Sequence, residues 1–249
     1  MHVLSGLASH GRLVPAALAV AGLAVGAGGT ALVLSGSGSG HVVSMPVAGR
    51  GSATLEVTSG TPVLTITVGR LGGTLLRVST PDSAPVRPVL SGSEPVVLSL
   101  VGAGSGGGAG DHSHSAPYAV SVVLSSAVVW NLDLAAGTQR TSADLRGGRV
   151  GAITVTAGSD ILDVTLPRPA RTVALRLTGG ASQFLVSLPG GVPAEVTVGG
   201  GASYVTVDGQ SRIGVAGGTV LTSAGWSTAT SRFDIDAIAG VSRLTVSRW

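Results

Sequence analysis

Hydrophobic and polar residues alternate along most of the chain after residue 50. In the stretch ATLEVTS, Leu55 and Val57 alternate with Thr54, Glu56 and Thr58. Similar short stretches, such as VLTITV, AITVT and YVTVD, recur up to the C-terminus between Gly, Pro, Ser, Asn or Asp residues. A period of two is typical of β-strands, and no stretch after residue 35 has the apolar spacing of an amphipathic helix. The pattern predicts an all-β fold.

Several of these strand-like stretches are copies of one another. TAGSDILDVTLP (156–167) aligns with TGGASQFLVSLP (178–189), 22 positions later. GASYVTV (201–207) matches the start of GASQFLV at a shift of 21, and GVSRLTV (240–246) matches GASYVTV at a shift of 39, close to two periods. Each copy has a glycine turn followed by an alternating strand. A repeat of about 20 residues is typical of a solenoid.

A unit this short cannot bury its own apolar face, so we expect successive units to stack in a β-solenoid over residues 128–249. Glycine at each corner supplies either a positive φ or space for close approach of the chain. The inward positions form the predicted core: Ile153, Val155, Leu162, Val164, Leu166, Val173, Leu175, Leu177, Phe184, Val186, Leu188, Val196, Val205, Val207, Leu244 and Val246.

The repeated region resembles a known family. The stretches WNLDLAAG, ADLRGGRVGAITVTAG, LTGGASQFLVSLPGGVPAEVTVGGGASYVTVDG and RFDIDAIAGVSRLTV are similar to the actinobacterial toast-rack, adhesin-like β-strand-repeat proteins. They resemble, more distantly, the extracytoplasmic domain of cell-wall-active antibiotic response proteins. The resemblance covers residues 128–249 well and 53–126 only by pattern. It implies a right-handed, single-stranded β-solenoid, often tethered by one helix, and no catalytic residues.

The N-terminal segment 13–34 is a run of 22 residues without a charge. A transmembrane helix needs about 20 apolar residues, so this run predicts a single membrane anchor. Arg12 precedes the run and the next Arg is Arg50, so the charge rule places the N-terminus in the cytoplasm and the remainder outside. A cleaved signal peptide, with a cleavage site near Ala27, is the alternative. Either interpretation sends the rest of the chain across the membrane.

These observations divide the chain into five regions. They are a short cytoplasmic N-terminus (1–12), a transmembrane anchor (13–34), a Gly/Ser linker (35–48), an irregular β region (49–127) containing a mobile loop (102–117), and the β-solenoid (128–249). The irregular region is either a set of further coils or a small capping β-domain. The SGSGSG sequence of the linker is typical of a flexible spacer.

Composition narrows the choice of partners. The 15 basic residues are all Arg, against 12 acidic residues, and aromatic residues make up only 3% of the chain. The arginines are scattered, apart from two loose groups: Arg140, Arg146 and Arg149, and Arg168, Arg171 and Arg176. Nucleic-acid sites usually combine a basic patch with aromatic residues, so no nucleic-acid partner is expected. The chain has no cysteine, which excludes disulfides and thiolate metal sites.

Few residues suggest chemistry. Gly102, Gly104 and Gly107 have the spacing of a dinucleotide-binding fingerprint, but more glycine and a strand follow where a helix is required. The loop residues Asp111, His112 and His114 are the only His/Asp cluster; a solvated loop is the favoured interpretation, and a weak metal or pH-sensing site is the alternative. The sequence therefore predicts no cofactor and no metal.

One pair of carboxylates has a spacing that could suit catalysis. Asp234 and Asp236 alternate in a predicted strand, so their side chains lie on one face, at a separation compatible with a glycosidase. No second carboxylate pair is expected to stack beside them, and aromatic platforms are missing. A solvent-facing strand position is the favoured interpretation, and no catalytic residue is assigned.

The sequence predicts a non-enzymatic, single-pass protein of the cell membrane whose C-terminal domain is extracytoplasmic. Its expected role is that of a structural, adhesion or envelope-interaction module. The expected partners are the membrane, an envelope polymer or membrane protein, and further copies of the chain bound at the solenoid ends. The alternatives are a sensor or regulatory subunit in the cell-envelope stress response, and a polysaccharide-active enzyme using Asp234 and Asp236.

Overall fold

The computed structural model describes residues 41–103 and 117–249. These residues form 19 β-strands and no helix, which confirms the all-β prediction for this part of the chain. The strands are β1 (Val42–Pro46), β2 (Ser52–Val57), β3 (Thr61–Gly69), β4 (Thr74–Ser79), β5 (Val86–Ser91), β6 (Val96–Gly102), β7 (Ala119–Ser125), β8 (Val129–Leu134), β9 (Thr138–Asp144), β10 (Arg149–Val155), β11 (Ser159–Thr165), β12 (Thr172–Leu177), β13 (Ala181–Leu188), β14 (Ala194–Val198), β15 (Ala202–Val207), β16 (Gln210–Val215), β17 (Thr219–Thr222), β18 (Arg232–Ala237) and β19 (Val241–Arg248).

The strands are divided between two mixed sheets. Sheet A has ten strands in the order β1-β4-β7-β3-β9-β11-β13-β19-β15-β16, and sheet B has nine in the order β17-β14-β18-β12-β10-β8-β2-β6-β5. Strands of residues 49–127 and of residues 128–249 belong to the same two sheets: β2 pairs with β8, and β3 with β9. The irregular β region therefore shares its sheets with the repeat region.

The repeating unit is a strand of sheet B followed directly by a strand of sheet A, which we call a coil. Seven coils stack with parallel pairing in both sheets, in the spatial order β6–β7, β2–β3, β8–β9, β10–β11, β12–β13, β18–β19 and β14–β15. The spatial order follows the chain only from β8 to β13.

The expectation that successive units stack is wrong at the C-terminal end of the chain. Coil β18–β19 lies between β12–β13 and β14–β15, although β14–β15 precedes it in the sequence. The reason is that β16 and β17 cover the outer edges of β15 and β14. Only the inner edges of that coil are left to pair with β18 and β19.

Two strand pairs of opposite direction end the parallel stack. The pairs β4–β5 and β16–β17 run from sheet A to sheet B and bind antiparallel to their neighbours. Strand β1 adds a further antiparallel strand to β4. The turn between β15 and β16 consists of Asp208 and Gly209, both with positive φ (50° and 80°). Two such residues form the short turn that hairpins favour, and this turn allows the chain to reverse.

The core is one apolar cluster between the two sheets. In sheet A, Leu162 pairs with Phe184, Phe184 with Leu244, and Leu244 with Val205, which is the register that the sequence alignment predicts. The predicted core residues are buried, except that Val207 is only partly buried. Val207 lies in the outermost parallel coil and pairs with the first residue of the edge strand β16, so fewer neighbours cover it.

Glycines also stack at the corner between the two sheets. A Cβ on Gly60 would lie 3.0 Å from the Gly137 carbonyl oxygen, and Cβ atoms on Gly137, Gly158 and Gly180 would lie 3.4–3.6 Å from the carbonyl of the next glycine. None of these four has a positive φ. A positive φ is therefore not the reason for glycine at these four positions. Close approach of stacked turns applies at Gly60, whereas the other three contacts are ordinary van der Waals distances.

The predicted Gly/Ser linker (35–48) requires a correction. Residues Val42–Pro46 form β1, whose Met45 side chain enters the core. Just before it, His41 Nδ1 lies 2.9 Å from Thr80 Oγ1. The linker prediction is therefore wrong from residue 41 onward, because an alternating apolar stretch, HVVSM, follows the SGSGSG sequence.

The predicted anchor (13–34) and most of the predicted loop (102–117) lie outside the described residues. Within residues 41–103 and 117–249, no helix has the length and apolarity to span a membrane.

Candidate functional site: an arginine-lined groove

A groove lies at the corner where four neighbouring strands of sheet B begin. Because β2, β8, β10 and β12 are parallel neighbours, the residues at their starts come together on one side of the stack. The groove has a volume of about 560 Å³. Its lining consists of Gly51, Ser52, Val129, Arg149, Val150, Arg168, Pro169, Ala170 and Arg171.

Three arginines supply all the charge in this lining. Arg149, the first residue of β10, donates from Nη2 to the Ala127 carbonyl oxygen. Arg168 donates from Nη2 to the Gly190 carbonyl oxygen at 3.1 Å. Arg171 directly precedes β12, and all three side chains are exposed. A guanidinium has five N–H donors, so Arg149 and Arg168 keep most of theirs for another partner.

A β-bulge at Gly151 lies beside the Arg171 side chain. The register between β8 and β10 shifts between Val150 and Ala152, which leaves Gly151 as the extra residue. A Cβ on Gly151 would overlap the Asn131 side chain and lie 3.3 Å from Arg171 Nη2. Bulges commonly redirect side chains beside functional sites. Here the missing Cβ makes room for an amide and a guanidinium at the same place.

The described residues contain two ion pairs, and neither involves a groove arginine. Arg146 binds Asp144 at 2.6 Å, and Arg248 binds Asp208 at 2.7 Å. The hydrogen bond from the Arg146 side chain lowers the pKa of Asp144. Arg248 has the same effect on the pKa of Asp208. No acidic residue lines the groove, so its three arginines have no carboxylate partner in the lining.

The fold does not keep together the two groups of arginines that lie close in the sequence. Arg149 of the first group joins Arg168 and Arg171 of the second, whereas Arg146 pairs with Asp144 and Arg140 lies on sheet A. Sequence reasoning missed this combination although the signal was present. Arg149 and Arg171 are 22 positions apart, the same shift that aligns β10 with β12.

Asp234 and Asp236 lie on β18 and alternate with the buried residues Phe233, Ile235 and Ala237, as predicted. The register places Asp234 beside Glu195 of β14 and Asp236 beside Arg176 of β12. A single carboxylate, Glu195, thus stacks beside Asp234, and the in-register neighbours include no second carboxylate pair. The sequence repeat did not predict Glu195 at this position. β14 and β18 are neighbours only because coil β18–β19 is inserted between β12–β13 and β14–β15. None of the in-register neighbours, Ala174, Arg176, Glu195 and Thr197, is aromatic.

The remaining candidate residues lie largely outside the described part of the chain. Asp111, His112 and His114 are outside it, as are Gly104 and Gly107 of the glycine fingerprint. Gly102 ends β6. Over residues 41–103 and 117–249, no group of three or more His, Cys, Asp or Glu side chains has an arrangement that could hold a metal ion.

Comparison with solved structures supports the fold. The chain is similar to a crystal structure described as a "putative cell adhesion protein" from Clostridium sporogenes ATCC 15579. The match covers 84% of this chain and 98% of that one, with a TM-score of 0.61 and 16% sequence identity. The two chains share a fold. At this identity the likeness shows the fold alone, so the adhesin-like fold is confirmed.

Other comparisons are negative. No protein-family model matches the chain, and a search of curated proteins finds no match either.

Proposed function

We propose that this protein is a non-enzymatic adhesion or envelope-contact module, displayed outside the cytoplasm and held to the membrane by residues 13–34. The observation that carries the proposal is the fold shared with the clostridial "putative cell adhesion protein". The right-handed, single-stranded solenoid winding and membership of the toast-rack family are further parts of the proposal.

The distribution of side chains supports a contact role. Both sheets direct their apolar residues into one shared core and leave the opposite face of each sheet to solvent. Seven stacked coils thus present two long surfaces, of the kind that repeat proteins use for binding. The expected partners are an envelope polymer or a membrane protein.

The C-terminal end of the stack supports contact between copies of the chain. The edge strand β16 exposes Ile213, of which 82% is accessible, and β17 exposes Val220. An edge strand with exposed apolar residues is a template for pairing with another strand. Self-association through the ends of the stack is accordingly part of the proposal.

Membrane attachment and orientation are tested together in a bacterial host. The full-length chain is expected to stay in the membrane pellet after alkaline carbonate washing, and protease added to intact spheroplasts is expected to digest it. A variant lacking residues 13–34 should be absent from that pellet. A carbonate-soluble full-length chain would overturn the anchor, and resistance to external protease would overturn the outside location.

The contact role is tested by co-sedimentation. Full-length protein in detergent is mixed with purified, insoluble cell-wall fragments, and the expected result is a protein fraction that pellets with the wall. The matched control is the same protein with the same mass of neutral cellulose. Equal pelleting with both materials, or no pelleting with either, would contradict the contact role.

The register of Asp234 with Glu195 favours one competing function, a polysaccharide-active enzyme. If that function were correct, wall or glycan substrates would release reducing sugar in the presence of the protein, and Asp234→Asn would abolish the release. We expect no release with either protein. Activity that disappears in Asp234→Asn and persists in Asp163→Asn, an acidic residue of sheet A, would replace the contact role with a catalytic one.

A further inference from the structure

We infer that the arginine-lined groove is a binding site for a linear anionic polymer, whose phosphodiester or carboxylate groups pair with Arg149, Arg168 and Arg171. The inference rests on the proposed function, because it names the ligand class that an envelope-contact module would hold at this site. The inference goes beyond the proposed function because it locates the binding site on the molecule and names three residues that bind the ligand.

Charge is the first argument. Three guanidinium groups meet in a groove whose lining contains no acidic side chain. Both ion pairs of the described residues lie elsewhere, so these cations have no carboxylate partner there. Guanidinium groups match carboxylate and phosphate oxygens with paired hydrogen bonds. An anion in the groove would supply the partner that these arginines lack.

Shape favours a polymer over a single small anion. The groove extends across the starts of β2, β8, β10 and β12, which at the usual strand spacing is about 14 Å. Arg149 and Arg171 belong to consecutive coils, and Arg168 lies on the flank formed by the segment between β11 and β12. Separate cations along an extended groove suit a chain with repeated charges.

The floor of the groove argues against nucleic acid. Proteins that bind single strands place aromatic rings under the bases, and they owe much of their affinity to that stacking. The lining here is Gly, Ser, Val, Pro and Ala apart from the arginines. Such a floor accommodates a backbone of small or flat units but offers no stacking platform.

Gly151 leaves room beside the groove for two polar side chains. Because Gly151 lacks a Cβ, Arg171 and Asn131 both approach the main chain there. The amide side chain of Asn131 adds a neutral hydrogen-bonding group next to the charged one.

The test uses full-length protein in detergent and three soluble probes: poly(glycerol phosphate), polygalacturonate and neutral dextran. Titration calorimetry is expected to show salt-sensitive binding of one or both anionic polymers and none of dextran. Comparing poly(glycerol phosphate) with polygalacturonate shows whether the groove binds phosphodiester or carboxylate groups. The bound polymer should also raise the unfolding temperature.

The key variant is the triple substitution Arg149→Gln, Arg168→Gln and Arg171→Gln, with Arg87→Gln, Arg140→Gln and Arg212→Gln as a charge-matched control. The control arginines are exposed and lie away from the groove lining. We expect affinity to fall about tenfold or more in the groove variant and to stay within about twofold in the control. The unfolding temperature without polymer identifies any variant that fails to fold, and the single variant Gly151→Ala then serves in its place, with weakened binding expected.

Three results would overturn the inference: no binding of either anionic polymer, equal losses in the two triple variants, or binding of a single-stranded DNA oligomer as tight as that of the polymers. These outcomes are separable from a failure of the proposed function. If the full-length chain pellets with cell wall and the groove variant pellets equally well, the groove assignment fails and the contact role stands. If the polymers bind in the groove but the chain is not exposed outside the cell, the groove assignment stands and the proposed function fails.

Discussion

At the scale of single residues, the Arg248 side chain connects several separate chain segments. Its guanidinium donates to both carboxylate oxygens of Asp208 (2.7 and 3.0 Å), to the Val192 carbonyl oxygen (2.6 Å) and to Ser223 Oγ (3.3 Å). These partners lie in the β15–β16 turn, before β14 and after β17. One residue near the C-terminus therefore holds three turns of the end unit together.

We predict that Arg248→Gln lowers the free energy of unfolding by about 1–2 kcal/mol, since several charge-assisted hydrogen bonds are lost from a partly exposed site. The pKa of Asp208 is lowered from 3.8, chiefly by the hydrogen bond from Arg248. A lowered folded-state pKa stabilises the protein above the unfolded value, and that contribution disappears as the pH falls through the folded value. The difference between wild type and variant should thus be full near pH 7 and shrink below about pH 4.

Thermal unfolding of the full-length protein at several pH values checks this prediction. Arg140→Gln is the control, because Arg140 is exposed on sheet A and takes part in neither ion pair of the described chain. A loss of stability in Arg248→Gln that is the same at pH 7 and pH 3 would contradict the assigned role of the ion pair.

Sequence reasoning succeeded for the apolar residues and failed for these polar ones, for a physical reason. The alternation that places Leu162, Phe184 and Leu244 in one register is local and repeats, so the sequence contains it directly. Arg248 and Asp208 are 40 positions apart and meet only because coil β18–β19 is inserted beside β14–β15. Because the inserted coil departs from the order of the repeats, the repeat pattern does not predict the ion pair between Arg248 and Asp208.

At the scale of elements, some turns between the sheets require glycine because they leave no space for a Cβ atom. A Cβ on Gly179 would overlap the Ala157 main chain and lie 2.9 Å from the Gly158 nitrogen. Both neighbours are backbone atoms of the adjacent coil, so neither can rotate away. The same holds at Gly200, whose Cβ would lie 2.9 Å from the Gly240 Cα. At these two corners the coils can approach so closely only because a side chain is absent.

We predict that Gly179→Ala lowers the free energy of unfolding by about 1–3 kcal/mol, the usual cost of forcing an extra group into a packed site. Gly73→Ala is the matched control, because Gly73 also lies in a turn but has open space around it and no positive φ. Denaturant unfolding of both full-length variants is the measurement. Equal stability of the two variants would show that the coils separate freely at this corner.

The reversed pair β16–β17 was hard to recognise in the sequence. β17 has only four residues and β16 is exposed along most of its length, so alternation is a weak signal there. The Asp208–Gly209 turn is the signal that was available, since Asp-Gly between two strands is typical of a tight hairpin. Recognising it would have predicted a reversal after β15, in place of another parallel coil.

At the scale of the whole molecule, the stack is closed at both ends by strands that run against it. Six consecutive strands, β8 to β13, build three coils in chain order, and the coils on either side depart from that order. At the C-terminal end, the last two strands enter the interior of the stack. The end unit β14–β17 consequently depends on the final residues of the chain for its connection to the remainder.

This arrangement predicts a specific pattern of disulfide crosslinks, and the absence of native cysteine makes it directly measurable. Thr245 of β19 is in register with Leu185 of β13 on one side and with Thr206 of β15 on the other. All three side chains are partly exposed on the outer face of sheet A. Neighbouring strands are about 4.8 Å apart, within the Cα separation that a disulfide accepts.

We expect Thr245→Cys to form a disulfide on mild oxidation with either Leu185→Cys or Thr206→Cys, as seen by a mobility shift of the full-length chain on non-reducing gels. The pair Leu185→Cys and Thr206→Cys should remain reduced, because β19 lies between them and doubles the separation to about 9.6 Å, beyond the range of a disulfide. Stacking in simple chain order would reverse this outcome, since β13 and β15 would then be neighbours at the shift of 21 that aligns their sequences. A disulfide between positions 185 and 206, with none to position 245, would therefore rule out the inserted coil, and with it the structural role assigned to Arg248.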